Sequence, residues 1–182
     1  MLRDATFATF AQLAKRGDIL SDFNVSANVA TLSDGKQVTF RSADKPDSLR
    51  GPNLDWFYID EAAMCKEEAW LIMIGRLRGS GNIGKDNLRG WLTTTPRGRN
   101  WVWQKFAQSQ NPDYEMIRAS TRTNTYLPTT FVANIQASYS EQWQKQELDG
   151  EFIEGNGGVF RRVRQCATAI PQEQPIPGHV YV

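Results

Sequence analysis

The sequence predicts an α/β fold with a mainly parallel sheet flanked by helices. Two short apolar runs, DWFYID (55–60) and GWLTTT (90–95), are typical of strands buried on both faces of a parallel sheet. Apolar residues at helical spacing lie around them, in residues 4–16, 66–77 and 100–108. Strands that alternate with helices in this way indicate an α/β domain.

The remaining elements follow from local turn and cap signals. Asp34-Gly35 predicts a hairpin that joins two strands within residues 24–43. YEMIRAST (114–121) alternates as a strand does, and helices are expected over 128–139 and 140–150. In the second of these helices Ser140 is the expected N-cap and Gly150 the expected stop, as Gly17 is for the first helix of the chain.

Domain organisation follows from where these patterns stop. Residues 1–154 carry the periodic segments, whereas Gly, Pro and isolated charges dominate residues 155–182. We therefore expect one domain in the first range and a linker in the second.

Composition excludes several classes of protein. The chain has 182 residues, 40% hydrophobic and 23% charged, which is ordinary for a soluble globular domain. No apolar run approaches the roughly 20 residues that span a bilayer, so no membrane partner is expected. A net charge of +1 indicates no global basic field, and two cysteines with one histidine make a zinc site improbable. A reduced, cytosolic setting is the default expectation.

GSGNIGKD (79–86) has the spacing of a phosphate-binding loop, G-x-x-x-x-G-K-[ST]. Such a loop follows a buried strand and begins a helix, whereas this segment follows the end of a predicted helix. Asp86 also stands where a hydroxyl should meet Mg²⁺. The segment is therefore predicted to be a connector.

A second nucleotide motif has better context. Asp60 and Glu61 follow the run WFYI, as acids do in a Walker B motif, where the first acid holds Mg²⁺ and the second activates water. The alternative is a buried strand followed by an acidic cap of the next helix. Thr93, Thr94 and Thr95 end the next predicted strand, and they either sense the γ-phosphate or form a β-branched strand end before Pro96.

In order along the chain, these segments resemble the ATPase domain of the large terminase subunit of tailed bacteriophages, the motor that packages DNA into proheads. Residues 42–63, which end in WFYIDEAA, are similar to the family's approach to Walker B. WLTTTPRGRNWVWQKF (91–106) is similar to its coupling motif, and residues 124–152 with GGVF (157–160) resemble the segment before the nuclease linker.

The resemblance implies a partial P-loop NTPase fold of the ASCE, RecA-like class, with ATP and Mg²⁺ as cofactors. Asp60 then takes the metal role, Glu61 is the catalytic base, and Thr93, Thr94 and Thr95 form the coupling motif. Arg50 matches an arginine that can reach a neighbouring subunit's nucleotide; its alternative is a surface arginine before a Gly-Pro turn. Implied partners are double-stranded DNA, the portal protein, the small terminase subunit and further copies in a ring, in the host cytoplasm.

Two features depart from the family pattern. No Walker A loop precedes the motifs, and MLRDAT resembles an internal family segment; the acidic cluster of the nuclease is also missing. The chain is therefore expected to be an ATPase-domain fragment with negligible ATP hydrolysis alone. The alternative functions are a helicase-like ASCE ATPase and a non-catalytic module that folds or binds DNA or motor partners. In that module DNA could be contacted by Arg97, Arg99, Trp101 and Trp103. The alternative for the two tryptophans is that they belong to the hydrophobic core.

Overall fold

The computed structural model describes residues 6–79 and 87–153. The described chain divides into two compact units. The first covers the described residues up to Pro96 together with Asn100–Ile117, and the second covers Arg97–Arg99 together with the described residues from Arg118.

The first unit begins with a helix and an antiparallel sheet. Helix α1 ends at its predicted stop, Gly17, and the hairpin at Asp34-Gly35 is confirmed, with Gly35 at a φ of 81°. Both strands predicted within residues 24–43 are confirmed, and a further strand that was not predicted precedes them. This first strand, LSDFN, was missed because its mostly exposed, polar residues give a weak apolar alternation. The elements are α1 (Phe7–Arg16), β1 (Leu20–Asn24), β2 (Val29–Leu32) and β3 (Gln37–Thr39), with sheet order β1-β2-β3.

Aromatic rings join α1 to this sheet. Phe7 is 4% exposed and meets Phe40 edge-on, with ring centroids 4.4 Å apart. The Phe23 ring of β1 also contacts the Phe7 ring, with centroids 5.3 Å apart, and the Phe10 ring contacts the Phe40 ring at 5.1 Å. Edge-to-face pairs of this kind stabilise beyond the area that they bury, so they fix the helix on the sheet.

The predicted parallel sheet is confirmed in the same unit. Strands β4 (Trp56–Ile59) and β5 (Arg89–Leu92) pair in parallel, with helix α2 (Glu67–Ile74) between them along the chain. A 3₁₀ helix, Pro46–Leu49, precedes β4 and packs against α2. The fold is therefore mixed α/β, although the larger sheet of the described residues is the antiparallel one.

The expectation that β4 is buried on both faces is wrong for the described residues. Phe57 and Ile59 are buried, whereas Trp56 and Tyr58 on the opposite face are 41% and 44% exposed. The reason is one-sided packing: the described aromatic core contacts the strand through Phe57. Successive side chains of a strand alternate between faces, so Tyr58 extends on the accessible side.

Trp70 of α2 is the centre of that core. Its ring contacts Phe57 at 5.3 Å, stacks on Trp101 at 6.0 Å, and meets Phe106 and Tyr114.

The predicted helix at 100–108 is confirmed as helical, but Trp103–Gln108 is a π-helix. The predicted strand at 114–121 is wrong: Thr121 begins a short 3₁₀ helix, and Ile117 before it is 88% exposed without strand pairing. In the described chain, residues 114–121 have no neighbouring strand to pair with, so their alternating pattern does not form a strand.

The second unit confirms both predicted helices, α3 (Thr129–Ser138) and α4 (Glu141–Glu147). The hydroxyl of Ser140 accepts a hydrogen bond from the Trp143 amide, as expected of an N-cap, and Gly150 follows with a φ of 63°. A 3₁₀ helix, Thr121–Thr123, is fastened to the end of α4 by the Thr121 amide, which donates to the Leu148 carbonyl at 2.7 Å.

Some predictions fall outside the described residues. These are the connector within 80–86 and the linker over 155–182 with its GGVF segment. Among the helices that are described, each is too short or too polar to cross a bilayer.

Candidate nucleotide and metal site

The predicted acids lie at the carboxyl end of β4. Asp60 directly follows the strand, and Glu61 adopts left-handed backbone angles, φ 49° and ψ 47°. A residue other than glycine in this region costs about 1–3 kcal/mol and is retained where the surrounding structure holds it. A 3₁₀ helix, Ala62–Met64, begins directly after Glu61. The turn therefore presents both carboxylates at the sheet edge where ligands bind in open α/β sheets.

Three groups converge on one oxygen of Asp60. Thr93 donates its hydroxyl to Oδ1 of Asp60 at 2.8 Å, and the Glu61 amide lies 3.2 Å from the same atom. The Tyr58 hydroxyl lies 3.1 Å from this oxygen and 2.6 Å from Oγ1 of Thr93. These contacts of Asp60 are all made by Oδ1, and none of them involves Oδ2.

Main-chain bonds tie the same turn to the threonine segment. The Thr93 amide donates to the Ile59 carbonyl, and the Ala62 amide donates to the Thr93 carbonyl, both at 3.0 Å. The Ala63 amide donates to the hydroxyl of Thr94, also at 3.0 Å. The structure thus brings Thr93 and Thr94 together with the Asp60-Glu61 turn.

The sequence predicted that the three threonines end the strand, but they lie beyond it. β5 ends at Leu92, opposite Ile59 of β4, so Thr93 stands beside Asp60 just beyond the paired residues. Thr95 joins through its carbonyl, which accepts a hydrogen bond from the Thr94 hydroxyl at 3.0 Å. The ladder stops here because the Thr93 carbonyl accepts from the Ala62 amide of the turn.

Two residues that sequence reasoning did not assign to the site hold the turn from its other end. Asn100 donates its side-chain amide to the Ala63 carbonyl at 3.4 Å, and Trp101 donates its indole N–H to the Cys65 carbonyl at 2.9 Å. Trp101 is 9% exposed, so of its two interpretations the core one is right. Tyr58 was missed as well, although its position in β4, two residues before Asp60, was the available signal.

Arg50 lies apart from this network of contacts. It follows the 3₁₀ helix Pro46–Leu49, and its Nε donates to Oδ1 of Asp47 at 2.8 Å. The Arg50 side chain is 55% exposed, so its ion pair contributes little to folding. An exposed arginine with one exposed partner can exchange that partner for another anion.

Burial and nearby charge alter two ionisable groups of the turn. Burial raises the pKa of the Tyr58 phenol above its ordinary value; Asp60 and Glu61 add to the rise, and the hydrogen bond between Tyr58 and Thr93 opposes it. Burial likewise raises the pKa of the Cys65 thiol, with Asp44, Asp60 and Glu61 as further causes. Both groups are therefore neutral near pH 7.

The described residues contain no cluster of three or more His, Cys, Asp or Glu side chains that could hold a metal ion by themselves. The donor set at Asp60 fits Mg²⁺ in another way. Protein sites for Mg²⁺ in nucleotide enzymes use one or two carboxylates, and substrate phosphates and water complete the octahedron. A carboxylate that Thr93 and the Glu61 amide hold through one oxygen, with the second oxygen outside those bonds, meets that requirement.

Comparisons with solved structures identify the fold. The chain is similar to the large terminase of a thermophilic bacteriophage in complex with ADP, with a TM-score of 0.69, 18% identity, and coverage of 84% of this chain and 38% of that one. It is also similar to the large terminase ATPase domain of Thermus phage P74-26, with a TM-score of 0.57, 21% identity, and coverage of 81% of this chain and 69% of that one.

Sequence comparisons point the same way. The chain is 24% identical over 174 residues to the large terminase subunit of Thermus virus P23-45, and 28% identical over 166 residues to the PBSX phage terminase large subunit of Bacillus subtilis. These matches cover 78% and 81% of this chain but 33% and 36% of the relatives. The chain thus spans about a third of the length of these curated relatives.

A family model supplies the widest match. The model describes the N-terminal part of the terminase large subunit, T4likevirus type, and it matches residues 9–164. That range contains the parallel strands, the Asp60-Glu61 turn and the threonine segment. The chain belongs to the terminase large subunit family.

Proposed function

We propose that this chain forms part of a viral DNA-packaging motor, in which ATP hydrolysis drives double-stranded DNA into a prohead. Residues 1–154 then belong to a P-loop NTPase domain of the ASCE, RecA-like class, and residues 155–182 form a linker. The motor acts in the host cytoplasm as a ring of identical subunits with a portal protein and a small terminase subunit. Family membership and the site at the end of β4 support this proposal.

One observation carries the proposal furthest: the turn with Asp60 and Glu61 is bonded directly to the threonine segment. A change at either carboxylate reaches Thr93 through the Asp60 hydrogen bond and through the Ala62 amide. A motor needs such a connection, because hydrolysis has to move other parts of the protein. A helix cap alone does not require side-chain bonds to the neighbouring strand.

Each residue has a role that fits its position. Asp60 would hold Mg²⁺ with its carboxylate, whose Oδ1 stays bonded to Thr93 and the Glu61 amide. The bound ion supplies charge compensation for the nucleotide phosphates. Glu61, exposed on its left-handed turn, orients a water molecule and accepts its proton. Thr93, Thr94 and Thr95 carry the change at the phosphate into the segment that follows β5.

Arg50 acts in this scheme on the nucleotide of a neighbouring subunit. Its guanidinium leaves Asp47 and balances charge on the γ-phosphoryl oxygens of the partner's substrate. Arginines with this role typically raise the rate about 10³–10⁵-fold. The extended backbone at Arg50, φ −66° and ψ 142°, points the chain out of the 3₁₀ helix and supports an outward reach.

The test uses the longest natural reading frame that contains these 182 residues, assembled as a motor. Glu61→Gln should bind ATP and lose turnover, whereas the matched exposed acid variant Glu68→Gln should keep it. Arg50→Ala should also bind ATP and lose turnover, with Arg16→Ala as its control. Mixing Glu61→Gln with Arg50→Ala subunits should restore activity at interfaces that combine one intact copy of each group.

The outcomes separate the parts of the proposal. Wild-type turnover by Glu61→Gln would contradict the assignment of the catalytic base and the ATPase function of this site. Inactive mixtures of correctly assembled subunits would contradict action of Arg50 across subunits. Wild-type turnover by Arg50→Ala would remove Arg50 from the mechanism.

A further inference from the structure

The Tyr58 hydroxyl stands between the two functional segments of the site. It lies 2.6 Å from Oγ1 of Thr93 and 3.1 Å from Oδ1 of Asp60, while Thr93 and Asp60 are 2.8 Å apart. Tyr58 is on the accessible face of β4, with 44% of the residue exposed. Its ring therefore reaches the polar end of the strand instead of the aromatic core around Trp70.

The protons available to this triangle determine its hydrogen bonds. Three oxygens make three contacts, but only the two hydroxyls of Tyr58 and Thr93 bring protons. The two shortest contacts form a chain in which Tyr58 donates to Thr93 and Thr93 donates to Asp60. Hydrogen bonds in such a chain polarise one another, so the donor at the end strengthens the bond at the carboxylate.

This chain orients both functional groups. With its proton used on Asp60 and its oxygen accepting from Tyr58, the Thr93 side chain is held from two sides. Asp60 in turn is held through Oδ1, which accepts from Thr93. The Thr93 carbonyl also accepts the Ala62 amide, so the same residue holds the turn on which Glu61 lies.

We propose that Tyr58 is a positioning residue of the ATPase site, one that keeps Asp60 and Thr93 in a single arrangement by donating its hydroxyl to Thr93. The proposal rests on the proposed function for its catalytic consequence. Its geometric content concerns only the hydrogen bonds among three residues of this chain. The two can therefore be tested separately.

The first experiment measures the hydrogen bond in the 182-residue chain. Tyrosine labelled with ¹³C at Cζ reports hydrogen bonding of each phenol by NMR, and Tyr58→Phe identifies the Tyr58 signal by its loss. The signal should shift in Thr93→Val, which removes the acceptor while keeping the side-chain shape. It should stay in place in Thr95→Val, the same change two residues further on. An unshifted signal in Thr93→Val would overturn the proposal, whatever the function of the protein.

The second experiment measures turnover in the full reading frame. Tyr58→Phe keeps the ring, so the thermal unfolding midpoint should stay close to that of the wild type. Loss of one hydrogen bond in a chain that ends on a charged group should lower kcat about 10-fold. KM for ATP should remain within about twofold, because Tyr58 touches the carboxylate's partner and not the nucleotide. Tyr126→Phe, at a 96% exposed tyrosine, is the matched control and should leave kcat unchanged.

The results distinguish the two proposals. Wild-type kcat in Tyr58→Phe, together with inactive Glu61→Gln, would overturn the positioning role and leave the ATPase function standing. Wild-type kcat in Glu61→Gln would instead overturn the ATPase function, and the catalytic consequence of Tyr58 with it.

Discussion

Gly90 of β5 is a position where a single added methyl group should measurably destabilise the fold. It stands opposite Phe57 in the parallel ladder, and the Phe57 ring fills the space that a side chain would occupy. A Cβ at residue 90 would lie 2.5 Å from Cζ and 2.7 Å from Cε1 of that ring. Phe57 is 3% exposed and meets Trp70 at 5.3 Å, so the ring has no open space into which to move.

The magnitude follows from two opposing effects. Overpacking of a well-filled core costs about 1–3 kcal/mol, because the displaced ring must leave its rotamer or move the strand. Replacing glycine by alanine in extended backbone recovers about 0.4–1 kcal/mol by restricting the unfolded chain. We therefore expect Gly90→Ala to lower the free energy of unfolding by about 1–2 kcal/mol.

Urea denaturation followed by tryptophan fluorescence measures this difference. Gly75→Ala is the matched control: its Cβ would meet the Ile72 carbonyl at 3.4 Å, and its backbone is already helical. It should be as stable as the wild type or slightly more stable. The cost of Gly90→Ala should shrink in a Phe57→Leu background, because the ring is gone. An equal cost in both backgrounds, or no cost in the first, would refute the steric reasoning.

Two further predictions concern polar contacts. Asn100→Ala should lower the free energy of unfolding by about 0.5–2 kcal/mol, because Oδ1 of Asn100 accepts from the Val102 and Trp103 amides. Asn100→Ser keeps an oxygen that can accept these amides and should retain part of that stability in urea denaturation, and equal losses would show that capping is not the cause. The hydrogen bond from Arg122 lowers the pKa of Asp149. Its stabilising contribution is therefore present above the unfolded pKa of about 3.9 and lost as pH falls through the lower folded pKa. Urea midpoints of Arg122→Gln should fall below those of the wild type at pH 6 and converge with them toward pH 2; a gap that is constant with pH would contradict this.

The strands and helices with strong local signals were predictable from sequence. WFYI has β-branched and aromatic residues before two acids, and Ser140 precedes a polar helix, so local chemistry decided both. The failed predictions depended on neighbours. Residues 114–121 alternate as a strand does, but an alternating segment becomes a strand only where another strand pairs with it.

The candidate site shows the same division. Asp60, Glu61 and the threonines could be proposed from sequence because their side chains define a motif at the ends of two strands. Asn100 and Trp101 were not assigned to it, since they act on carbonyl groups of residues more than 30 positions away. Every residue has a main-chain carbonyl, so the pattern of side chains in the sequence does not indicate which carbonyl accepts such a bond. Tyr58 could have been found from its two-residue spacing to Asp60, but its contact with Thr93 depends on the register of β4 and β5.

The turn after Glu61 is held to its neighbours almost entirely through its own main-chain atoms. The groups involved are the amides of Ala62 and Ala63 and the carbonyls of Ala63 and Cys65. Every amino acid except proline supplies an amide there, so natural variation at positions 63 and 65 can be wide without loss of this geometry. Distant relatives can therefore share the turn while their residues at these positions differ. Proline at position 62 or 63 is the replacement that would remove one of the bonded amides.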